Sequence, residues 1–203
     1  GCLEDVCRAQ NRAFFTWIAE KRPLVTLKAA MTLDGFIAAN RGTPRGTIGF
    51  ITGPAARARA HALRVEHDAI LVGVGTVRAD DPRLTVRLPG RSSRIQRVVL
   101  DSQLRTPPGR DGRPPLPAVL AALAGREIQS LLVEGGATIH AAFVDAGLVD
   151  RAAVFLAPKL LGGGVPVAAG NGRPLSRALA LGPPNVEHAG DDVILRADVV
   201  ARP

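Results

Sequence analysis

Hydrophobic positions along this chain change period several times, and each change marks an element. Residues 24–31, LVTLKAAM, are nearly all apolar around Lys28 and read as a strand. Asp34-Gly35 marks a turn, and a short second strand completes residues 32–40. Residues 69–77, AILVGVGTV, form the continuous apolar run expected of a parallel strand buried on both faces. Residues 94–102 and 128–136 read as further strands, and 151–164 as a strand running into a Gly-rich loop. Residues 191–200 alternate strongly, as a last strand. Helical spacing appears within residues 1–22 and again at 52–67, 116–126 and 137–148. Thr52 and Pro54 supply start signals for the second of these, and Gly125 a stop signal for the third. Buried strands alternating with helices predict an α/β fold with a mostly parallel central sheet flanked by helices.

In such sheets ligands bind beyond the carboxyl ends of the strands. Three polar signals fall at predicted strand ends: Thr76 with Asp80-Asp81, Asp101-Ser102, and Glu134-Gly135-Gly136. The third opens a predicted helix. Glycines there let backbone N–H groups approach a phosphate, whose charge the helix start favours, although plain turns use Gly-Gly as well. Glu134 follows SLLV, and a carboxylate buried there needs a partner. Lys28 is either a side chain reaching to the sheet margin or an ammonium aimed into a site. Arg64 and Arg87 suit either solvent or an anion.

Length and composition narrow the function classes. With 203 residues and 46% hydrophobic content, the chain holds one substantial core. No apolar run nears the roughly 18 residues of a membrane span. The chain opens on Gly1 with no initiator Met and no signal-like segment, which suggests a trimmed, excised or renumbered sequence, and its two thiols suit a reducing, cytoplasmic compartment. Cys2 and Cys7 lack two further ligands at zinc spacing, so no metal site is expected. The net charge of +8 suits anionic partners, phosphorylated small molecules included. Only 3% of residues are aromatic and none is Tyr, which argues against single-stranded nucleic acid. There is no H-x-E with P-C-x-x-C, the signature of zinc deaminases, and no G-x-G-x-x-G after a strand.

Taken in order, LKAAMTLDGFIA, FITGPAARARAHALRVEHDAILVGVGTVRADDPRLTVR, VVLDSQLRTP, SLLVEGGATIHAAFVDAGLVD and FLAPKLLGG resemble one family, the reductase domain of the riboflavin-biosynthesis deaminase/reductase. The resemblance covers residues 23–203, and residues 1–22 resemble the linker that follows the deaminase domain, which is not in this chain. It implies a dihydrofolate-reductase-like fold, a homodimer, and reduction by NADPH of the ribosyl group of a phosphorylated pyrimidine substrate to a ribityl chain. Carried onto matching positions, the substrate set is Lys28, Arg64, Leu84, Arg87 and Glu134, with Lys28 and Glu134 as the catalytic pair. The cofactor set is Ala30, Phe50, Thr52, Thr76, Asp80, Ser102, Gly136, Ala137, Thr138, Ile139, His140, Ala141 and Ala142. Asp80 would receive cofactor hydroxyls, while Asp81-Pro82 shapes the turn presenting Leu84 and Arg87. Arg105, three positions after Ser102, is a candidate for a ribose 2′-phosphate.

Two departures stand out. The segment RGTPRGTIGFITG is longer than the family pattern, with Phe50 in place of Trp and Ile48 in place of a substrate-binding Ser. Arg110 is followed directly by Asp111, where the family carries a strand, a helix and a further short strand. These departures keep two alternatives open: a related reductase with another substrate, and a non-catalytic binding domain.

Overall fold

In the computed structural model, residues 1–39, 49–88, 90, 95–101 and 115–201 are described. Ile48, Ser102, Arg105 and the Arg110–Asp111 junction, with the expectations attached to them, lie outside the described residues.

Five parallel strands build the middle of an eight-stranded sheet: β4 (Gln96–Leu100), β3 (Ala69–Gly73), β5 (Ser130–Val133), β1 (Leu24–Thr32) and β6 (Arg151–Ala157), in that spatial order. Antiparallel β10 (Asp192–Ala201) follows β6 and pairs in turn with β8 (Ala180–Leu181) and β9 (Asn185–Ala189). A small second sheet joins β2 (Phe36–Ala38) to β7 (Val165–Pro166). The mostly parallel sheet matches the sequence expectation.

Alternation along the strands sorts the core into two layers. Val25, Leu27, Leu71, Leu131 and Val133 face α5 (Leu116–Ala124) and α6 (Ala137–Asp145), packing on Leu120, Leu123 and Phe143. Ile70, Val72, Leu132 and Phe155 face the other way, onto Ala56 and Leu63 of α3 (Pro54–Val65). β3 and β5 are buried at every position, which explains their uninterrupted apolar runs. Two short helices, α1 (Glu4–Gln10) and α2 (Arg12–Glu20), precede the sheet. Trp17 Nε1 donates to the Ala124 carbonyl at 3.0 Å, and Arg12 pairs with Asp198 at 2.6 Å.

One expected element is corrected. The strand predicted over residues 69–77 stops at Gly73, and residues Val74–Asp80 form a helix, α4. Gly73 is the last β3 residue with a ladder partner, Leu100 of β4, while β5 ends at Val133. Beyond that point the backbone has no neighbouring strand to bond, and it satisfies its own groups as a helix. Thr76 and Asp80 therefore sit on a helix, four residues apart on one face, rather than at a strand end. Residues 81–87 adopt no regular structure. Asp81 and Leu84 instead have positive φ of 44° and 52°, an uncommon backbone state for side chains other than Gly.

His67 ties α3 to β1. Its Nδ1 lies 2.8 Å from the Leu63 carbonyl, which only accepts, so Nδ1 carries the proton and Nε2 accepts from Thr26 Oγ1 at 2.8 Å. Burial holds the His67 ring below the ordinary histidine range. The unfolded chain then takes up its proton first as pH falls through about 6.5, so His67's contribution is complete above that pH and lost below it. The melting temperature should fall between pH 7 and pH 5, and His67→Gln should flatten part of that slope. A slope unchanged by the substitution would assign the acid sensitivity elsewhere.

No helix among the described residues is long and apolar enough to cross a membrane. The described residues also contain no cluster of His, Cys, Asp or Glu able to hold a metal ion.

Candidate functional site

Register brings the first two site residues together. Leu27 of β1 pairs with Val133 of β5, so the next residues, Lys28 and Glu134, lie side by side at the carboxyl end of the sheet. Lys28 Nζ lies 3.9 Å from Glu134 Oε2 and 5.2 Å from the centre of the Phe155 ring. The helix over this face supplies Arg64, whose Nε and Nη2 donate to Glu134 Oε1 and Oε2 at 2.9 and 2.7 Å. Such a two-point fork on a carboxylate is a geometry that Lys cannot reproduce. Side chains in this triad are only 10–14% exposed. Burial pushes the Glu134 carboxyl up, but the Lys28 charge and the Arg64 fork outweigh it and hold Glu134 below its ordinary value. The Arg64 guanidinium, opposed by burial, is raised by Glu134 in return. At neutral pH the cluster is one carboxylate between two cations, with a net positive charge facing the cleft.

Arg64 Nη1 donates to the Thr85 carbonyl at 3.0 Å. Three of its five N–H groups are thus engaged, and two remain. Thr85 belongs to the 81–87 segment, which also brings Arg87 to this mouth. The exposed Arg87 donates its backbone N–H to His61 Nδ1 at 3.3 Å, one turn before Arg64 on α3. Arg87 thus contacts α3 at His61, one turn before Arg64. Leu84 is 7% exposed and packs into the α3-side core, so its side chain anchors the segment.

A second feature adjoins the charge cluster. α6 begins at Gly136, and no side chain among the described residues caps it. A Cβ on Gly136 would lie 3.4 Å from Thr76 Oγ1, so Thr76 of α4 faces this helix start. A Cβ on Gly135 would lie 2.5 Å from Ile139 Cβ, so only glycine lets the strand end approach the first turn of α6 this closely. Backbone N–H groups at a helix start, beside a hydroxyl, suit a phosphate-bearing ligand. Gly135→Ala should cost about 1–3 kcal/mol, because Ile139 Cβ is rooted in the helix and cannot swing aside. Gly136→Ala should be nearly neutral to folding. Urea titrations of the two variants check the contrast, and equal stabilities would show that the close approach relaxes freely.

Other predicted positions divide. Thr138 is exposed and Gly136 half-exposed at the mouth, while Ala137, His140 and Ala141 are buried, with Ile139 packed on the core and Ala142 half-buried. His140 turns inward, its Nδ1 2.8 Å from the Val167 carbonyl. It is 1% exposed, so its side chain reaches no surface. Ala30 lies two residues beyond Lys28 on β1, half-buried. Asp80 is exposed at the end of α4. Thr52 is buried, its carbonyl accepting Arg57 Nη1 at 2.8 Å, and the 72%-exposed Phe50 carries the Arg57 guanidinium 4.2 Å above its ring. Lys159 Nζ donates to the Ile51 carbonyl at 2.6 Å. Sequence reading missed His61, because its partners Arg87, Thr85 and Glu134 come from distant segments.

Comparison with known proteins identifies the family and the fold. The model of the RibD C-terminal domain family matches residues 23–111 and 113–195. The riboflavin biosynthesis protein RibD of Actinobacillus pleuropneumoniae is 33% identical over 243 aligned positions, covering 99% of this chain and 63% of that protein. The chain thus spans under two thirds of that relative's length. The 2,5-diamino-6-ribosylamino-4(3H)-pyrimidinone 5′-phosphate reductase of Methanothermobacter thermautotrophicus is 38% identical over 70% of this chain and 81% of its own. Among solved structures, Acinetobacter baumannii RibD superposes with a TM-score of 0.83 at 28% identity, covering 98% of this chain and 64% of that one. Its fold is the dihydrofolate-reductase-like one that the sequence resemblance implied. On the extent of the family match and the shared fold, this chain belongs to the RibD C-terminal domain family.

Proposed function

We propose that this chain is the reductase of a riboflavin-biosynthesis step, reducing the ribosyl group of a phosphoribosylamino-pyrimidine to the ribityl form with NADPH. The Lys28–Glu134–Arg64 cluster, set beside the uncapped start of α6, carries this reading. The name of the Methanothermobacter relative supports it.

The residues present suit a dinucleotide. The backbone N–H groups of Gly136, Ala137 and Thr138 would hold the pyrophosphate, with Thr76 at its side and Asp80 toward ribose hydroxyls. When bound, the nicotinamide supplies a hydride to C1′ of the substrate. The chain's own residues do the rest. Opening the ribosyl ring requires a proton on the ring oxygen. Glu134 is ionised, so Lys28 is the proton-bearing group of the cluster, and the carboxylate orients its ammonium. Net addition of hydride at C1′ and a proton at the ring oxygen breaks the C1′–O bond and leaves a 4′-hydroxyl, which balances the step. Arg87 and the two unengaged N–H groups of Arg64 would hold the substrate phosphate.

The same reading makes the protein a cytoplasmic homodimer. The exposed apolar side chains Leu181, Val186 and Val200 on the β8–β10 side would suit such a dimer surface. Residues 1–22 serve as a linker, in keeping with their position outside the family match. Turnover of the phosphoribosylamino-pyrimidine, followed by loss of reduced-nicotinamide absorbance, tests the function, with NADPH preferred to NADH in a parallel calorimetric titration. Tight NADPH binding with no turnover of either the uracil or the diaminopyrimidinone form would point to another substrate. No nucleotide binding at all would remove the proposal.

A further inference from the structure

His61 lies inside the proposed anion pocket and has no assigned role. Its Nδ1 is 3.3 Å from the backbone N of Arg87 and its Nε2 is 3.5 Å from Arg87 Nε. Both neighbours are N–H donors. A neutral imidazole has one acceptor nitrogen and one N–H, so in either tautomer one ring N–H faces an arginine N–H. The Thr85 carbonyl, which already accepts from Arg64 Nη1, is the acceptor that faces the ring, and an anionic oxygen beside it would accept from the ring N–H and from Arg87 together.

We propose that His61 is the third contact of the phosphate pocket formed with Arg64 and Arg87, and that binding of a phosphate dianion draws a proton onto its ring. This rests on the reading of Arg64 and Arg87 as the substrate-phosphate anchor.

The charges around His61 give the proton linkage its sign. Arg64 lies one turn on along α3, Arg87 comes from the 81–87 segment, and Glu134 from the end of β5; the Thr85 carbonyl faces the ring as well. Arg57, one turn back, is stacked on Phe50. The charges that β9 and β10 send toward α3, Glu187 and Arg196, are paired with Arg59 and Glu66. Burial and the two arginines hold the ring below its ordinary protonation range, against the opposing pull of Glu134 and Thr85. A dianion among these groups offsets the arginine charges and favours imidazolium. Affinity for the phosphate group should then be highest at low pH. It should fall as pH rises from the pKa of the free protein to that of the complex, by at most tenfold per unit.

The test is calorimetric binding of ribose 5-phosphate and of inorganic sulfate to the whole chain near pH 7, in two buffers of different ionisation heat. Sulfate does not titrate in this range, so any proton taken up with it belongs to the protein. The expected result is net proton uptake with the anion, abolished in His61→Gln. The variant's affinity for ribose 5-phosphate should fall three- to tenfold at pH 6.5 and little at pH 8. KM for the full substrate should follow the same profile while kcat stays within twofold. His61→Asn provides a second variant should the first fold poorly, and thermal melts verify folding of both. Two results overturn the proposal and are distinguishable. If Arg64→Lys and Arg87→Lys leave ribose 5-phosphate affinity unchanged, the phosphate pocket itself is misplaced. If those variants weaken it tenfold or more while His61→Gln keeps the proton uptake, His61 alone is wrongly assigned.

Discussion

Glu134→Gln should lower turnover by about 10²–10⁴-fold, the range for a positioned acid–base group, while the protein remains folded. The substitution preserves shape but removes the charge that Lys28 and Arg64 share. The amide oxygen still accepts from one side of the Arg64 fork, whereas the amide NH₂ confronts either the second arginine N–H or the Lys28 ammonium. Lys28 then loses the carboxylate that aims it, and the reacting ring oxygen loses its oriented proton. The stability cost should be about 1–3 kcal/mol, that of a lost hydrogen bond to a charged group. Steady-state turnover measured beside thermal melts separates the two effects. Unchanged turnover with a large fall in melting temperature would make Glu134 a structural residue and leave Lys28 without its proposed role.

How much of this was legible in sequence follows from the range of the interactions concerned. β3 and β5 were readable because burial on both faces demands apolar residues at every step, and β1 and β6 because most of their residues are apolar although several are only half-buried. Glu134 was readable for the converse reason: an acid directly after SLLV is costly without a partner. Lys28 stayed ambiguous until the β1–β5 register set it beside Glu134, a fact of pairing that no local pattern contains. α4 was misread because Val74 and Val77 continue the apolar run of β3. What ends the strand is where its neighbours stop. β9 was missed, although Gly190, with φ of 68°, supplies the turn that folds it onto β10. Arg64 was read as suiting either solvent or an anion, but the structure engages its fork on Glu134. A sequence shows charges of both signs without showing which of them meet.

The largest effect on stability is expected far from the cleft, at Asp150. Sequence reading gave this residue no role. Its carboxylate accepts from Arg22 Nη1 and Nη2 at 2.6 and 2.8 Å and from the Val25 backbone N–H at 2.8 Å. Arg22 is 8% exposed and Asp150 3%, so both are desolvated at the amino ends of β1 and β6. Through this pair the chain entering β1 is fastened to the chain entering β6, at the end of the sheet opposite Lys28. Asp150→Ala would strand a buried guanidinium and a strand N–H together. Removing one member of a buried pair costs about 3–5 kcal/mol. Arg22 keeps Glu20 at 2.6 Å, and that carboxylate is 44% exposed, which places the expected loss near the lower end, about 3 kcal/mol. At roughly 2–4 °C per kcal/mol for a chain of this size, the melting temperature should drop by about 6–12 °C. Activity per folded molecule should be retained, because β1 still delivers Lys28 in the same register wherever the sheet remains formed. Urea titration with turnover measured below the transition tests both halves. A stability loss under about 1 kcal/mol would mean that water or Glu20 replaces the carboxylate without cost, and the ion pair would then contribute little to the fold.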